Sequence, residues 1–493
     1  MITSTPSDRE STLLVLVRGA VMGIATAVAL QLSSDPDLWG HLRSGEDFLS
    51  TFTVPSSDVY SFTSDRTWIN HEWLTDVVLA SAYRLGGTVA LAILAGVLVL
   101  AALVIARWSA RRAGVGGWRL EALTAAVFAL GVAPLAQTLR AQAISAPLFV
   151  LLLALMRELD RERYRVAFAL PLLFLVWANL HGAWVMAGGV LAIWTFVRAA
   201  QTPSPRVRLV LLGAGVLSAA ATLVNPYGAE LWRFLFETVR FARGDIVEWR
   251  SLRSTPIMFL PWLATVAIAL LALARARREQ LAYFAVCLFL GVSSFQVIRL
   301  VPFFSLSVLV LLGPLLAGPS AHARAHVDAR GWAGASIIWT ICVASSTIGQ
   351  ARVGCLQTRG AFFVDEQAAS FLRENQATGR LVVWFDWGEY VSWHFGPALK
   401  VSMDGRRETV YSAALLRAHD EFYRNGSGAR EFLERLSPDY VWLPKSVRVS
   451  PMIAGWGWTP IFETGSSTVW TRGNSRTIWR MPAPPTSSCF PAA

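Results

Sequence analysis

Two polar stretches follow the first apolar run of this chain: SDPDLWGHLRSGEDF at 34–48 and PSSDVYSFTSDRTWINHEWLTD at 55–76. Between them they carry Asp35, Asp37, His41, Arg43, His71 and Glu72, with Trp39, Trp68 and Trp73 interleaved. An Asp-Pro-Asp turn presents two carboxylates close together. One of them can act as general base toward an acceptor hydroxyl, or the two together can hold a divalent cation. Asp37 is the first choice for the base, because it leads directly into the Leu-Trp-Gly-His segment. His41, His71 and Glu72 can assist either role, and the indole of Trp39 can lie against a sugar face. Plainer uses stand beside these: Asp35 can cap the helix that begins near Leu38, and outer aromatics can anchor the chain at a membrane interface.

Polar residues are scarce from there to the end of the apolar half, so those that occur are informative. Arg140 and Arg299 are cations beside apolar runs. A guanidinium matches phosphate oxygens in geometry and charge, and ionisable residues at a membrane boundary are functional candidates. Either could instead pair with a carboxylate or reach toward lipid headgroups. Asn179-Leu180-His181-Gly182 separates two apolar runs, and its side chains can line a site or satisfy the backbone of a broken helix. Asn225-Pro226-Tyr227-Gly228 reads as a turn first and as a ligand site through Tyr227 second. Glu248 follows in Glu248-Trp249-Arg250.

The elements that position these residues are membrane helices. Of 493 residues, 54% are hydrophobic and only 16% are charged, against about 25% charged in soluble proteins. The apolar residues come in runs that read as about eleven spans. Arginines collect in five of the short loops, among them Arg107, Arg111 and Arg112, then Arg157, Arg161 and Arg163. If the spans alternate, all five loops share one face, which the positive-inside rule makes cytoplasmic. The N-terminus is then cytoplasmic, and every candidate named above falls on the outer side. Of the net charge of +11, all but the +3 carried from residue 350 onward lies in the membrane half with these loops, and it implies no nucleic-acid partner.

From about residue 350 the composition becomes that of a soluble domain. LVVWFD (381–386) reads as a buried strand, Gly388–Phe395 as a helix, and Lys400–Met403 as a second strand ending in Asp404-Gly405-Arg406. Strands alternating with helices imply a small α/β domain. Asp386-Trp387-Gly388 and Asp404-Gly405-Arg406 sit at strand ends, where such sheets bind ligands, and turn chemistry accounts for them equally well. The expected organisation is a transmembrane domain over 1–349 with a long first outer loop (33–76), an extracytoplasmic α/β domain over 350–480, and a poorly ordered tail over 481–493. Cys287 and Cys342 fall in apolar runs. Cys355 and Cys489 both fall outside, where an oxidising compartment permits a bridge.

The string Asp35-Pro36-Asp37-Leu38-Trp39-Gly40-His41-Leu42-Arg43-Ser44-Gly45 resembles the start of a large group of bacterial polytopic membrane proteins, as do His71-Glu72-Trp73-Leu74, Asn179-Leu180-His181-Gly182, Asn225-Pro226-Tyr227-Gly228 and Asp404-Gly405-Arg406. That group is similar to the GT-C superfamily of integral-membrane glycosyltransferases. The resemblance implies a mainly α bundle of about eleven spans with a C-terminal extracytoplasmic domain, in the inner membrane of a bacterium. It also implies a polyprenyl-phosphate sugar as donor, and a glycan, lipid or protein as acceptor. Transfer would invert the anomeric centre, with Asp37 or Asp35 as the acidic residue of the first outer loop, acting as base or metal ligand. Arg140 and Arg299 would hold the donor phosphate, and the group often carries a second aromatic where Gly40 stands. A transporter or flippase for a lipid-linked or anionic substrate would use the same arginines and broken helices, but would call for an internal repeat, and none is evident. An oligosaccharide ligase or polymerase, or a non-catalytic assembly protein, are the remaining alternatives.

Overall fold

The structure, a computed structural model, describes residues 12–31, 33–136, 138–239, 246–320, 329–353, 355–358, 364–472 and 489–490. It divides into two compact units. One comprises 1–32, 89–235 and 242–354; the other comprises 33–88, 236–241 and 355–493.

The first unit is helical. Across the described residues seven helices are long and apolar enough to cross a membrane: Thr12–Leu30, Trp73–Arg112, Gly117–Leu135, Ala141–Leu159, Pro256–Leu273, Ile298–Ala317 and Gly331–Gly349. Four further expected spans are helices of 12 to 18 residues: Ala169–Leu180, Trp184–Gln201, Pro205–Ala221 and Leu281–Gln296. The expected count of eleven is therefore not established. Leu209, Val216, Leu260 and Leu288 point their side chains outward, an apolar exterior suited to lipid rather than water.

Small residues let helices of this unit meet closely. Thr12–Leu30 lies along Ala329–Val353, and a Cβ on Gly19 would stand 2.6 Å from the Ala335 carbonyl oxygen. Gly23, one turn on, meets Trp339 and Cys342 in the same way, the small-xxx-small pattern of membrane helix pairs. Buried charge is neutralised locally: Glu121 accepts from Arg18 (3.1 Å) and Arg107 (2.6 Å), and Glu158 from Arg112, Arg161 and Arg163. Arginines that read as loop charges in the sequence thus also pair with carboxylates.

Helix Trp73–Arg112 is broken at Gly86 and Gly87, where Gly87 adopts φ 57°, ψ −145°. Only glycine tolerates that backbone. An entry helix from Trp73 therefore precedes the span.

The second unit is mixed. Its strands are β1 (Ser33–Ser34), β2 (Leu356–Thr358), β3 (Gly379–Val383), β4 (Leu399–Val401), β5 (Tyr440–Pro444), β6 (Trp458–Glu463), β7 (Ser467–Arg472) and β8 (Cys489–Phe490). Five form a sheet in the order β4-β3-β5-β7-β6, with β3 parallel to β4 and β5 and the β5–β7 and β7–β6 pairs antiparallel. One face buries Val382, Val441 and Leu443 against Phe422, Phe432 and Leu433 of the helices Ala413–Tyr423 and Ala429–Leu436. On the other, Trp442 meets Trp387, just before the helix Gly388–His394. The first polar loop belongs to this unit: Phe62 donates its N–H to the Val401 carbonyl (3.1 Å) and Val401 donates to Tyr60 (2.9 Å), so the loop covers the β4 edge. Strands β1, β2 and β8 form a second small sheet. Cys355 is disulfide-bonded, and Cys489 lies in the strand paired with β2. Most of the 481–493 tail lies outside the described residues.

Candidate functional site

The helix Asp37–Thr51 opens the first loop, and its entry uses Asp35. The Asp35 carboxylate is buried and accepts the Asp37 backbone N–H at 3.1 Å, so one expected catalytic carboxylate serves as a helix-entry acceptor. Asp37, in the first turn, is only half-buried. Gly40 and Gly45 follow in the same helix, where each costs about 1 kcal/mol relative to alanine. Packing explains both. A Cβ at Gly40 would fall inside the Glu389 carboxylate, and one at Gly45 would strike the Asp76 carbonyl. Gly40 thus admits a carboxylate from the C-terminal domain.

Glu389 is the residue that sequence reasoning missed. It lies on the helix Gly388–His394, is buried, and accepts the Gly40 N–H at 3.2 Å through Oε2. A Cβ built on Gly405 would stand 2.8 Å from Glu389 Oε1 and 2.9 Å from Asp37 Oδ1. Two carboxylates therefore converge on one glycine. Burial, joined by the charges of Asp37 and Asp404, raises the Glu389 carboxyl well above the usual carboxylate range. Asp386 is pushed up to about 6, by burial first and by Asp37 second.

Positive charge frames this acidic group. Arg406 is bound by Asp404 (Nη2–Oδ2, 2.6 Å) and by Asp58 (Nη1–Oδ1, 2.7 Å), and lies over the Trp68 ring. His41 Nδ1 is 2.6 Å from Asp76 Oδ1, and Asn70 donates to the other Asp76 oxygen at 2.7 Å. Burial alone would lower the His41 pKa. The Asp76 carboxylate, with Glu72 and Glu389 adding to it, raises it instead to about 10. His71 and Glu72 stand 3.5 Å apart, and Glu72 is 3.9 Å from His41 Nε2. Arg43 donates to the Tyr60 hydroxyl at 2.6 Å.

Trp39 differs from its expected role. Its ring is buried against Tyr390 (5.4 Å between centroids) and Phe490 (5.1 Å), so its faces hold the fold together and are closed to a sugar.

The other expected residues lie in the first unit. Arg140 donates to Glu248 Oε1 at 2.9 Å, and the Arg299 guanidinium lies 5.6 Å from the ring centroid of Trp249. The short segment Val247–Trp249 thus touches both expected phosphate ligands, and Ile298 donates its N–H to the Arg250 carbonyl beside it. His181 pairs with Ser145 Oγ at 2.7 Å, and Asn179 donates to the Leu175 and Val224 carbonyls. Both serve broken-helix backbone and buried polar groups. Tyr227 donates its N–H to the Asn225 side chain, as in a turn.

The donor set for a divalent cation is thin. Among the described residues no group of three or more His, Cys, Asp or Glu side chains is arranged to hold a metal, and Asp35 is turned to the Asp37 amide. A cation held by Asp37 would take its remaining ligands from substrate phosphate and water.

The fold is similar to those of several solved transferases, each at low sequence identity. The chain is similar to the apo oligosaccharyltransferase of Archaeoglobus fulgidus, with a TM-score of 0.57 and 13% identity over 88% of this chain and 69% of that one. It is also similar to the mycobacterial arabinofuranosyltransferase AftD (TM-score 0.54, 18% identity), covering 95% of this chain but only 40% of that one. A third is ArnT from Cupriavidus metallidurans, solved with undecaprenyl phosphate (TM-score 0.52, 14% identity, 96% and 99% covered). The archaeal enzyme has been solved with an inhibitory peptide and a dolichol-phosphate, and separately with zinc and sulfate. No family model matches the chain, and no curated protein sequence matches it.

Proposed function

We propose that this chain is a membrane glycosyltransferase that moves a sugar from a polyprenyl-phosphate donor to an extracytoplasmic hydroxyl, with inversion. The observation that carries the reading is the convergence of Asp37 and Glu389 on Gly405 within a GT-C-like fold.

Asp37 is the more exposed member of that pair and acts as the general base. It takes the proton of the acceptor hydroxyl while the oxygen attacks the anomeric carbon, and the bond from that carbon to the phosphate oxygen breaks on the opposite face. The phosphate departs with the bonding electron pair as polyprenyl phosphate, and the proton later passes from Asp37 to water. Glu389, raised well above the usual carboxylate range by burial and by the neighbouring charges of Asp37 and Asp404, is the buried partner that closes the inner side of the pair. Positioning of this kind supplies much of the rate in group transfer. Arg140 and Arg299 meet the donor phosphate, a role that rests on guanidinium chemistry and on their common neighbour, Val247–Trp249. No step is assigned to a metal.

The same reading places the chain in a bacterial inner membrane, N-terminus inside and the C-terminal domain outside, on the strength of the arginine loops. The test is reconstitution of the full chain in nanodiscs with polyprenyl-phosphate sugars and envelope glycan, lipid and peptide acceptors. Release of polyprenyl phosphate with a glycosylated product is expected. Movement of the lipid-linked sugar across vesicle membranes with no glycosidic bond formed would overturn the reading in favour of a flippase.

A further inference from the structure

The five-stranded sheet contains a reversal of strand order. From β3 the chain passes through the helix Gly388–His394 to β4 on one side. It then returns through Ala413–Tyr423 and Ala429–Leu436 to β5 on the other side of β3. With right-handed crossovers the two connections cover opposite faces, as the packing on Val382 and Trp442 shows. Their ends must then part at the carboxyl ends of β3 and β5, and a crevice opens there. Sheets of this kind bind ligands at that point.

A cavity of about 750 Å³ occupies it, within the range of roughly 300–1,000 Å³ typical of small-ligand sites. Trp384, Asp386 and Trp387 come from the segment after β3, and Val447 and Arg448 from the segment after β5. Tyr423 closes the third side, donating its hydroxyl to the Val383 carbonyl and setting its ring edge against Trp384 at 4.8 Å. The Trp384 ring is held from its other end by an Nε1–H bond to Asp386 Oδ2 (3.1 Å).

We infer that this crevice binds a carbohydrate chain, the acceptor of the transfer. The C–H face of a sugar ring lies flat on an indole, drawn by the negative face of the aromatic system. Its hydroxyls are met by paired acceptors and donors, here the Asp386 carboxylate and the Arg448 guanidinium at the rim. A peptide in extended form would seek an unpaired sheet edge, whereas this crevice opens at strand ends. Asp386 lies two residues before Gly388, which abuts Met403 and Asp404, and the next residue, Gly405, abuts Asp37, so the Asp386 side of the crevice is the side toward the proposed base. The acceptor role rests on the transferase reading; saccharide binding does not.

The test uses the full chain in nanodiscs on two arrays, one of neutral and uronic-acid-containing oligosaccharides, the other of short peptides. Saccharide capture is expected, weakened about tenfold or more by Trp384→Ala and by Arg448→Ala. Arg448 is exposed, so its variant remains readable if Trp384→Ala fails to fold. No saccharide capture, capture that neither variant weakens, or peptide capture that both abolish would each overturn the inference. Asp37→Asn is scored for capture and for transfer. Transfer retained in Asp37→Asn would sink the assigned base while leaving the saccharide site standing.

Discussion

Glu389 accepts the backbone N–H of Gly40 at 3.2 Å across 349 positions of sequence. That bond joins the first polar loop to the C-terminal domain at the point where Asp37 stands, and it requires residue 40 to have no side chain. Substituting Gly40→Ala improves intrinsic helix propensity by about 1 kcal/mol, yet is expected to destabilise the protein and depress transfer. The Gly40→Ala, Glu389→Ala pair should recover stability, with a coupling of about 1–3 kcal/mol in a double-mutant cycle followed by thermal unfolding. Additive effects would show that the contact is absent in solution.

Asp37→Asn keeps the shape of the side chain and removes the base. Loss of transfer by about 10²–10⁴-fold is expected, with unchanged expression and melting temperature. A fully active variant would remove Asp37 from the mechanism.

Arg406 bridges Asp58 and Asp404, both fully buried. Arg406→Ala leaves two carboxylates without their counter-ion and should cost about 3–5 kcal/mol. Limited proteolysis of the C-terminal domain reads this out, and Arg406→Lys should restore part of the protection by keeping the charge while losing the two-point geometry. Equal resistance of all three proteins would show that the bridge contributes nothing.

The His41–Asp76 pair sets a pH window. His41 titrates near 6.5 when unfolded and near 10 when folded, so the folded state binds the proton more tightly. The resulting stability is fully present below about 6.5, declines as pH rises, and is gone once pH passes about 10. Melting temperature should fall across that interval, and His41→Gln should flatten the slope. An unchanged slope would mean that other groups set it.

Arg140→Ala and Arg299→Ala should raise the apparent Kd for a polyprenyl-phosphate sugar more than that for the acceptor, in titrations of nanodisc-held protein. Equal losses for both ligands would undo the phosphate role.

How much of this was legible beforehand follows from the range of each interaction. Apolar runs, arginine loops and the shift of composition near residue 350 are local, so the membrane helices and the terminal α/β domain could be read from them. Asp37 could be named from its own loop. Glu389 could not, because it occurs in an ordinary helical string, GEYVSWHF, and becomes significant only through Gly40 and Gly405. Trp39 misled for the converse reason: an indole in a polar loop suits a sugar, and only Tyr390 and Phe490, supplied from far along the chain, bury it.

The amino-acid order alone determined where the chain is apolar, which residues are ionisable and where the helices break, since those depend on side-chain chemistry and neighbouring backbone. Tertiary structure alone decided which carboxylates meet. It turned Asp35 to the Asp37 amide, raised Glu389 by burying it beside like charge, and opened a crevice where β3 and β5 part. Pairwise electrostatics and desolvation act over a few ångströms of space, and no spacing in sequence encodes that distance when the partners lie hundreds of residues apart.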